Sequence, residues 1–521
     1  MAAENAKKEK KEKQALQPKI KKIYIPGTIN KVRVGMCQIM LSDTVHVREN
    51  GTETVKGNTP VTLYDTSGPY TDTQYEHEMK EGISRIRESW NCRRKDILQS
   101  PRYDFCTDRL HFCNKPPVLR AKPDRKITQM YYARRRIITP EMEYVAIREN
   151  QQVEALGIKS YITPDFVRKE LMSGHAVIPC NINHPEVEPM IIGNRFRVKV
   201  NTQILPPENS VKDAVNRIIM YCKWGTDTLL DLSLHRNCCR MREWLIRNSP
   251  VPMGTSPLYQ ALAKVDGRAE ELSWALFRDT LIEQAEQGVD FMAIHAAMRR
   301  KHMKLVDVRL TELVSRSGIA LSQWMEAHGE ENFLYTHFDE ICEILKTYDI
   351  TLWLSCGLRS GSIYDANDDA QYAEQREMRG LIDTAWKHYV QVMCEGPGHV
   401  PLNKIETHVK EYKYICRGLP FFTLGTTTVD IAGEFDYIAS AIGSAHIAWH
   451  GASLISGITL KDELRTPAPE DIRTDIFAHK VAAHSADIAK GHPGAQVRDN
   501  ALSKARREGR LEDFHVLKIA P

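Results

Sequence analysis

An α/β chain built around a (β/α)8 barrel, with an N-terminal α+β domain before it and a C-terminal helical segment after it, is the architecture this sequence predicts. Three observations carry that expectation. From about Glu188 onward, short apolar runs alternate with amphipathic stretches, at the spacing of roughly twenty to forty residues expected of strands joined by helical crossovers. Eight such runs can be counted, the number a (β/α)8 barrel needs. Polar residues then gather immediately after the runs, which in a barrel places them all at the end where the loops build the site. A doubly wound open sheet is the alternative arrangement of the same elements.

The first residues read differently. Lys7, Lys8, Lys10, Lys11, Lys13, Lys19, Lys21 and Lys22 crowd a basic arm over 1–22, with the composition of a solvated, disordered segment. It has no apolar stretch of the kind a secretory signal needs. Over 23–185 the pattern is that of an irregular α+β domain. Val61 to Tyr64 reads as a strand, followed by a turn over Asp65 to Tyr70. Thr139-Pro140-Glu141 and Thr163-Pro164-Asp165 both read as helix starts, with a hydroxyl cap, proline at the first position and acid in the first turn.

The barrel is placed at 186–465. Its expected strands are Phe196 to Val200, Thr228 to Leu232, Val251 to Gly254, Phe291 to Ala296, Ile350 to Ser355, Gln391 to Met393, Phe421 to Leu424 and Ala445 to Trp449. Helices are expected at Glu270 to Gln287, closed by Gly288, at His337 to Tyr348 and at Ala370 to His388. A helical segment over 466–521 completes the chain.

Composition narrows the function classes. The chain has 521 residues, with 71 basic against 67 acidic and a formal charge of +4. That near balance argues against a nucleic-acid partner for the body of the chain. No run has the length of a membrane span, so a soluble protein without a membrane partner is expected. Twelve cysteines without regular spacing suit a reducing, cytoplasmic setting.

Chemistry concentrates after the apolar runs. Glu395 and His399 flank the Gly-Pro-Gly turn that ends the sixth run, and Asp231, Ser233, Tyr259, His295, Arg359 and Asp430 follow others. Ser315-Arg316-Ser317-Gly318 and Gly357-Leu358-Arg359-Ser360-Gly361-Ser362 each join hydroxyls and a guanidinium to a flexible backbone, a composition suited to phosphate. His399 is a candidate metal donor. His446 and His450 would chelate a metal from a helix, but in a strand they stand roughly 13 Å apart. No Walker loop, dinucleotide fingerprint or nucleophile elbow is present.

The wording of several stretches is more specific. YDTSGPYT (64–71), ITPEMEYVAIREN (138–150), NINHPEVEPMIIG (181–193), RNSPVPMG (247–254), RDTLIEQAEQGVD (278–290), ENFLYTH (331–337), EGPGHVP (395–401) and AKGHPGAQVRDN (489–500) resemble the phosphomethylpyrimidine synthase family, in order along most of the chain. The resemblance implies a homodimeric radical lyase of thiamine biosynthesis, converting 5-aminoimidazole ribotide to hydroxymethylpyrimidine phosphate. Its cofactors would be a 4Fe-4S cluster, S-adenosylmethionine and zinc.

Carried over by position, the ribotide contacts would be Tyr259, His295, Ser315, Arg316, Gly357, Leu358, Arg359 and Glu395, with His399 on the metal. The chain departs from the family at Gln203 (asparagine expected), Leu230 (methionine), Ser317 (glycine), Cys356 (aspartate), Phe422 (tyrosine) and Glu463 (the second metal histidine). Leu234-His235 also replaces an expected Thr-Gly. The Cys-x2-Cys-x4-Cys motif of the cluster is not found among the twelve cysteines, and the chain is expected to stop before the region that carries it. The alternative expectation is a catalytically inactive homologue that keeps the barrel as a binding or structural module.

Overall fold

The computed structural model describes residues 20–518 except 102–111, 113, 151–152, 154–156, 158–161, 206–209, 236–237 and 458–466. Eight strands close into a parallel barrel in chain order. They are β1 (Lys199–Ile204), β2 (Thr228–Asp231), β3 (Met253–Thr255), β4 (Phe291–Ile294), β5 (Thr351–Leu354), β6 (Val392–Glu395), β7 (Phe421–Leu424) and β8 (Leu454–Ser456). The ring closes where β1 pairs with β8, Lys199 opposite Leu454.

Side chains alternate across the wall as the two-residue strand period requires. Leu230, Phe291, Trp353, Met393, Phe422 and Leu454 fill the interior, with the Trp353 and Phe422 rings 4.7 Å apart. Leu229, Met292, Leu352, Val392 and Ile455 face outward, into the apolar layer shared with the helices.

Two expected strands moved. The first begins at Lys199 rather than Phe196. The last is not Ala445 to Trp449, which lies inside the Asp436–His450 helix; the strand is Leu454–Ser456, after Gly451 ends that helix. The physical reason is visible in the burial. Ala439, Gly443 and Ile447, with Ser440, Ser444 and Ala448, are buried at helical spacing along one face, so a short apolar run belonged to a 3.6-residue pattern. The Glu270 to Gln287 helix likewise starts later, at Trp274, where the Ser273 side chain accepts the Leu276 amide.

Below the barrel, the strand pair Ala176–Val177 and Ile192–Gly193 sends Val177, Met190 and Ile192 into the interior cluster and plugs that end. Thr139 and Thr163 cap the Pro140–Glu149 and Pro164–Ser173 helices as expected. An antiparallel sheet of Ile20–Pro26, Arg33–Ile39 and Val61–Leu63 lies before them in the chain. Its first strand takes in Lys21 and Lys22, the last lysines of the basic stretch. Lys22 is not solvated: its ammonium lies 2.8 Å from Asp65 and its side chain is 2% exposed. The rest of that stretch lies outside the described residues. The Pro469–Ala489 helix packs along Asp436–His450. No helix among the described residues is long and apolar enough to cross a membrane.

Candidate functional site at the mouth of the barrel

Glu395, the last residue of β6, is fully buried at the C-terminal end of the barrel. Its Oε2 accepts from the Ser355 hydroxyl and, at 3.0 Å, from the Cys356 amide, both just beyond β5. Its Oε1 has no hydrogen-bond donor, with the Arg359 guanidinium 3.5 Å away. Burial raises the carboxyl above its ordinary range, against the opposing pull of Arg359. The turn that follows needs glycine at 396, because a Cβ there would overlap the Phe421 ring. The backbone therefore leaves the strand pressed against β7, with His399 bridged to Thr427.

Residues from other strand ends converge on this pair. Tyr259, from the helix after β3, feels the charges of Arg359, Arg316 and Glu395 and has Ser317 beside its hydroxyl; burial raises its pKa. His295 follows β4, is buried, and is pushed down to about 3 by burial and then by Arg359, so it is neutral there. Its Nδ1 has no partner. Ser315 is the N-cap of the Arg316–His328 helix and accepts the Gly318 amide at 3.2 Å. Gly318 itself lets the helix start meet the Gly357 carbonyl, which a Cβ would strike at 2.5 Å. Arg316 is exposed and Ser317 buried at the same helix start.

The Gly357-to-Ser362 loop differs from its expected role. Its hydroxyls, guanidinium and flexible backbone were expected to suit a phosphate, and its Gly357 and Leu358 amides each donate at 2.8 Å to the carboxylate of Glu374. Burial raises Glu374 to about 7. Arg309 holds the same loop through the carbonyls of Leu358 (2.7 Å) and Arg359 (3.2 Å), while pairing with Asp368 at 2.6 Å. What this loop offers a ligand is therefore the Arg359 side chain. Ser355, Glu374 and Arg309 were not singled out in the sequence. An acid at 374 on the buried face of the Asp369–Lys387 helix was the available signal.

With this geometry in place, the comparisons with known proteins decide the family. The model of the "Radical SAM ThiC family" matches residues 128–521, and that of the "ThiC-associated domain" matches 17–98. The chain belongs to the radical SAM ThiC family. Family membership supports thiamine pyrimidine synthesis by radical SAM chemistry, which implies S-adenosylmethionine and a 4Fe-4S cluster.

Among solved structures the chain is similar to a dihydropteroate synthase of Coxiella burnetii, at 11% identity over 56% of this chain and 94% of that one, TM-score 0.34. It is similar to that of Stenotrophomonas maltophilia at 12% identity over 55% and 94%, TM-score 0.33. The Thermotoga maritima phospho-2-dehydro-3-deoxyheptonate aldolase matches at 12% identity over 59% and 72%, TM-score 0.33.

The family's cofactors can be set against these residues. His399 Nδ1 lies 2.8 Å from Asp430, the carboxylate–imidazole arrangement that leaves Nε2 for a metal. Glu463, the expected companion ligand, lies outside the described residues, and among the described residues no three His, Cys, Asp or Glu side chains form a metal-holding group. The ten described cysteines do not fit a cluster either: eight are buried. Burial raises the Cys180, Cys222, Cys342 and Cys356 thiols, whereas cluster ligation needs thiolates.

The remaining sequence candidates divide. Cys356 is buried and turns its thiol to the Glu395 carbonyl at 3.5 Å. Leu230 and Phe422 belong to the apolar barrel interior. Gln203 lies on β1, opposite Leu230. Asp231 and Ser233 serve each other and a buried Arg242, whose Nε is 2.9 Å from Asp231. His446 and His450 were read in a strand; on the helix they sit one turn apart, with Nε2 atoms 3.1 Å from each other.

Proposed function

We propose that the mouth binds 5-aminoimidazole ribotide and that the chain acts in its conversion to hydroxymethylpyrimidine phosphate, as a homodimer, with zinc at His399 and Glu463. The observation that supports this reading is the meeting of Arg359, Arg316, Tyr259, neutral His295 and half-satisfied Glu395 from separate strand ends. The arginines suit the phosphate. Glu395 Oε1 suits a donor on the base or ribose, since an unpaired buried acceptor is costly until something donates to it. A neutral His295 can accept or donate without adding charge.

A bound cluster with S-adenosylmethionine would supply a radical; this chain's residues bind and orient the ribotide. The spacing and burial of the cysteines favour a second reading, in which the barrel keeps ribotide binding without the radical step. Calorimetry with 5-aminoimidazole ribotide tests the common part: saturable binding is expected, weakened about tenfold or more by Arg359→Ala. Absence of binding to the folded wild type overturns both readings. Growth of a bacterial strain lacking its own pyrimidine synthase, rescued by this chain without thiamine, separates them in favour of synthase. A soluble, ribotide-binding chain that gives no growth favours the second.

A further inference from the structure

The opposite end of the barrel holds a cavity that the reaction does not use. It lies where the strands begin, lined by Lys199 at the start of β1 and Asp227 just before β2. The strands rise roughly 3.3 Å per residue, so a barrel wall of four residues separates it from Glu395. Two stretches singled out in the sequence without a chemical role meet here. The YDTSGPYT stretch supplies Tyr64, and AKGHPGAQVRDN supplies Arg498. The cavity volume is about 120 Å³, room for several waters at the roughly 10–15 Å³ each requires.

Its polar groups are unevenly satisfied. The two lining carboxylates are occupied: Asp227 accepts the Val200 amide at 2.8 Å and faces Lys480 at 3.3 Å. Asp487 accepts the Val198 amide at 2.9 Å and faces Lys490 at 3.5 Å. Lys199 pairs with Glu149 at 2.8 Å, and His484 with Asp499 at 2.6 Å.

Arg197 and Arg498 have no carboxylate partner among the described residues. Arg197 Nε is buried without any hydrogen bond. Arg498 reaches only the backbone carbonyls of Leu517, at 2.7 Å, and Lys518. Burial draws Arg498 down to about 10, opposed by Cys37 and Asp499 and reinforced by the neighbouring Arg197 charge. The Tyr64 hydroxyl in the same lining is also buried and unpartnered. Two neighbouring guanidiniums, an orphaned N–H and an orphaned O–H around one small space form a donor-rich site whose lining carboxylates are already engaged. Water relieves the orphaned donors but leaves the like charges unneutralised.

We propose that this cavity is an anion site for a phosphate group, free or as the head of a phosphate monoester, held by Arg197, Arg498 and Tyr64 at the end of the barrel opposite the ribotide. Planar guanidiniums match phosphate oxygens in pairs, and the hydroxyl supplies a further donor.

The test titrates inorganic phosphate into the full chain at constant ionic strength, with chloride as control, reading calorimetric heat and thermal midpoint. The expected result is saturable binding with a midpoint that rises with the logarithm of phosphate. Arg197→Gln and Arg498→Gln should each weaken affinity about tenfold or more, by loss of a charge-assisted donor. Tyr64→Phe keeps the ring that stacks beneath Arg148 (4.4 Å) and should weaken affinity about threefold or more. It provides the test should either arginine variant fail to fold. The double variant Arg316→Gln with Arg359→Gln should retain a phosphate equivalent, assigning it to this cavity rather than to the mouth. Ribose 5-phosphate binding tighter than phosphate would mark an ester as the occupant, and equal affinities would mark the free ion. No saturable effect on the wild type, unchanged affinity in Tyr64→Phe and the folded arginine variants, or loss of all binding in the mouth double variant would overturn the proposal.

Discussion

At the mouth of the barrel Arg359 stands 3.5 Å from Glu395 and Arg309 is locked onto Asp368 at 2.6 Å. Around the cavity at the other end, Arg197 and Arg498 have no carboxylate partner among the described residues, and Arg197 Nε is buried without a hydrogen bond. Both ends are rich in arginine, so composition does not separate them. The difference is whether a guanidinium's charge has been answered within the chain. Arg309 shapes the loop that carries Arg359, whereas Arg197 and Arg498 leave an electrostatic demand that a ligand can meet. A charged residue near a cavity is therefore informative only after its partners are known.

The largest expected effect that sharpens this contrast comes from removing the two kinds of arginine. Arg309→Met strips a side chain that is 1% exposed and ion-paired, and should cost about 3 kcal/mol. Arg498→Met removes an unpaired charge that makes only carbonyl hydrogen bonds, and should cost about 1 kcal/mol in phosphate-free buffer. Urea denaturation of both variants measures the gap. Equal costs would break the comparison.

Next in size is a pH effect shared by the two ends. Asp349, just ahead of β5, and Glu374 at the mouth are both raised to about 7 by burial. In each the folded state holds its proton more tightly than the unfolded chain does. The associated stability is fully present below the unfolded values and is lost as pH rises through about 7. The slope is at most about 1.4 kcal/mol per pH unit for each group. The urea midpoint should therefore fall between pH 5 and 8. Asp349→Asn should flatten the fall by one proton's share, and asparagine suits the left-handed backbone there, φ 58°. Glu374→Gln should do the same from the other end. A wild-type midpoint independent of pH would show that neither carboxyl is raised.

The smallest effect is expected at Cys356, whose thiol lies 3.5 Å from the Glu395 carbonyl. Cys356→Ser should cost less than about 1.5 kcal/mol and leave ribotide affinity within about threefold, measured by calorimetry. A large loss of affinity would make the side chain a ligand contact.

Much of the barrel was readable because most of its strands are short apolar runs with helical crossovers between them, although the first, expected at Phe196 to Val200, lies at Lys199–Ile204. The eighth was misplaced because a run such as Ala445 to Trp449 is too short to show its period alone, and the deciding burial of Gly443 and Ile447 comes from neighbouring elements. The convergence of Tyr259, His295, Arg359 and Glu395 was legible from their positions after strands. Glu374 and Arg309 were not, because an acid in a helix and an arginine in a loop ordinarily face solvent.

By itself the sequence determined the alternation of strands and helices and the chain order of the strands, since side-chain periodicity is a local property of the chain. Closure into a barrel rather than an open sheet came from the tertiary structure. Tertiary structure alone decided which charges are spent and which remain open. Pairing depends on residues far apart in the chain: Glu374 meets the 357–358 amides from across a loop, and Tyr64 shares a cavity with Arg498. Burial then fixes the consequence, because removing water turns an unanswered donor or charge from a negligible feature into an energetic demand.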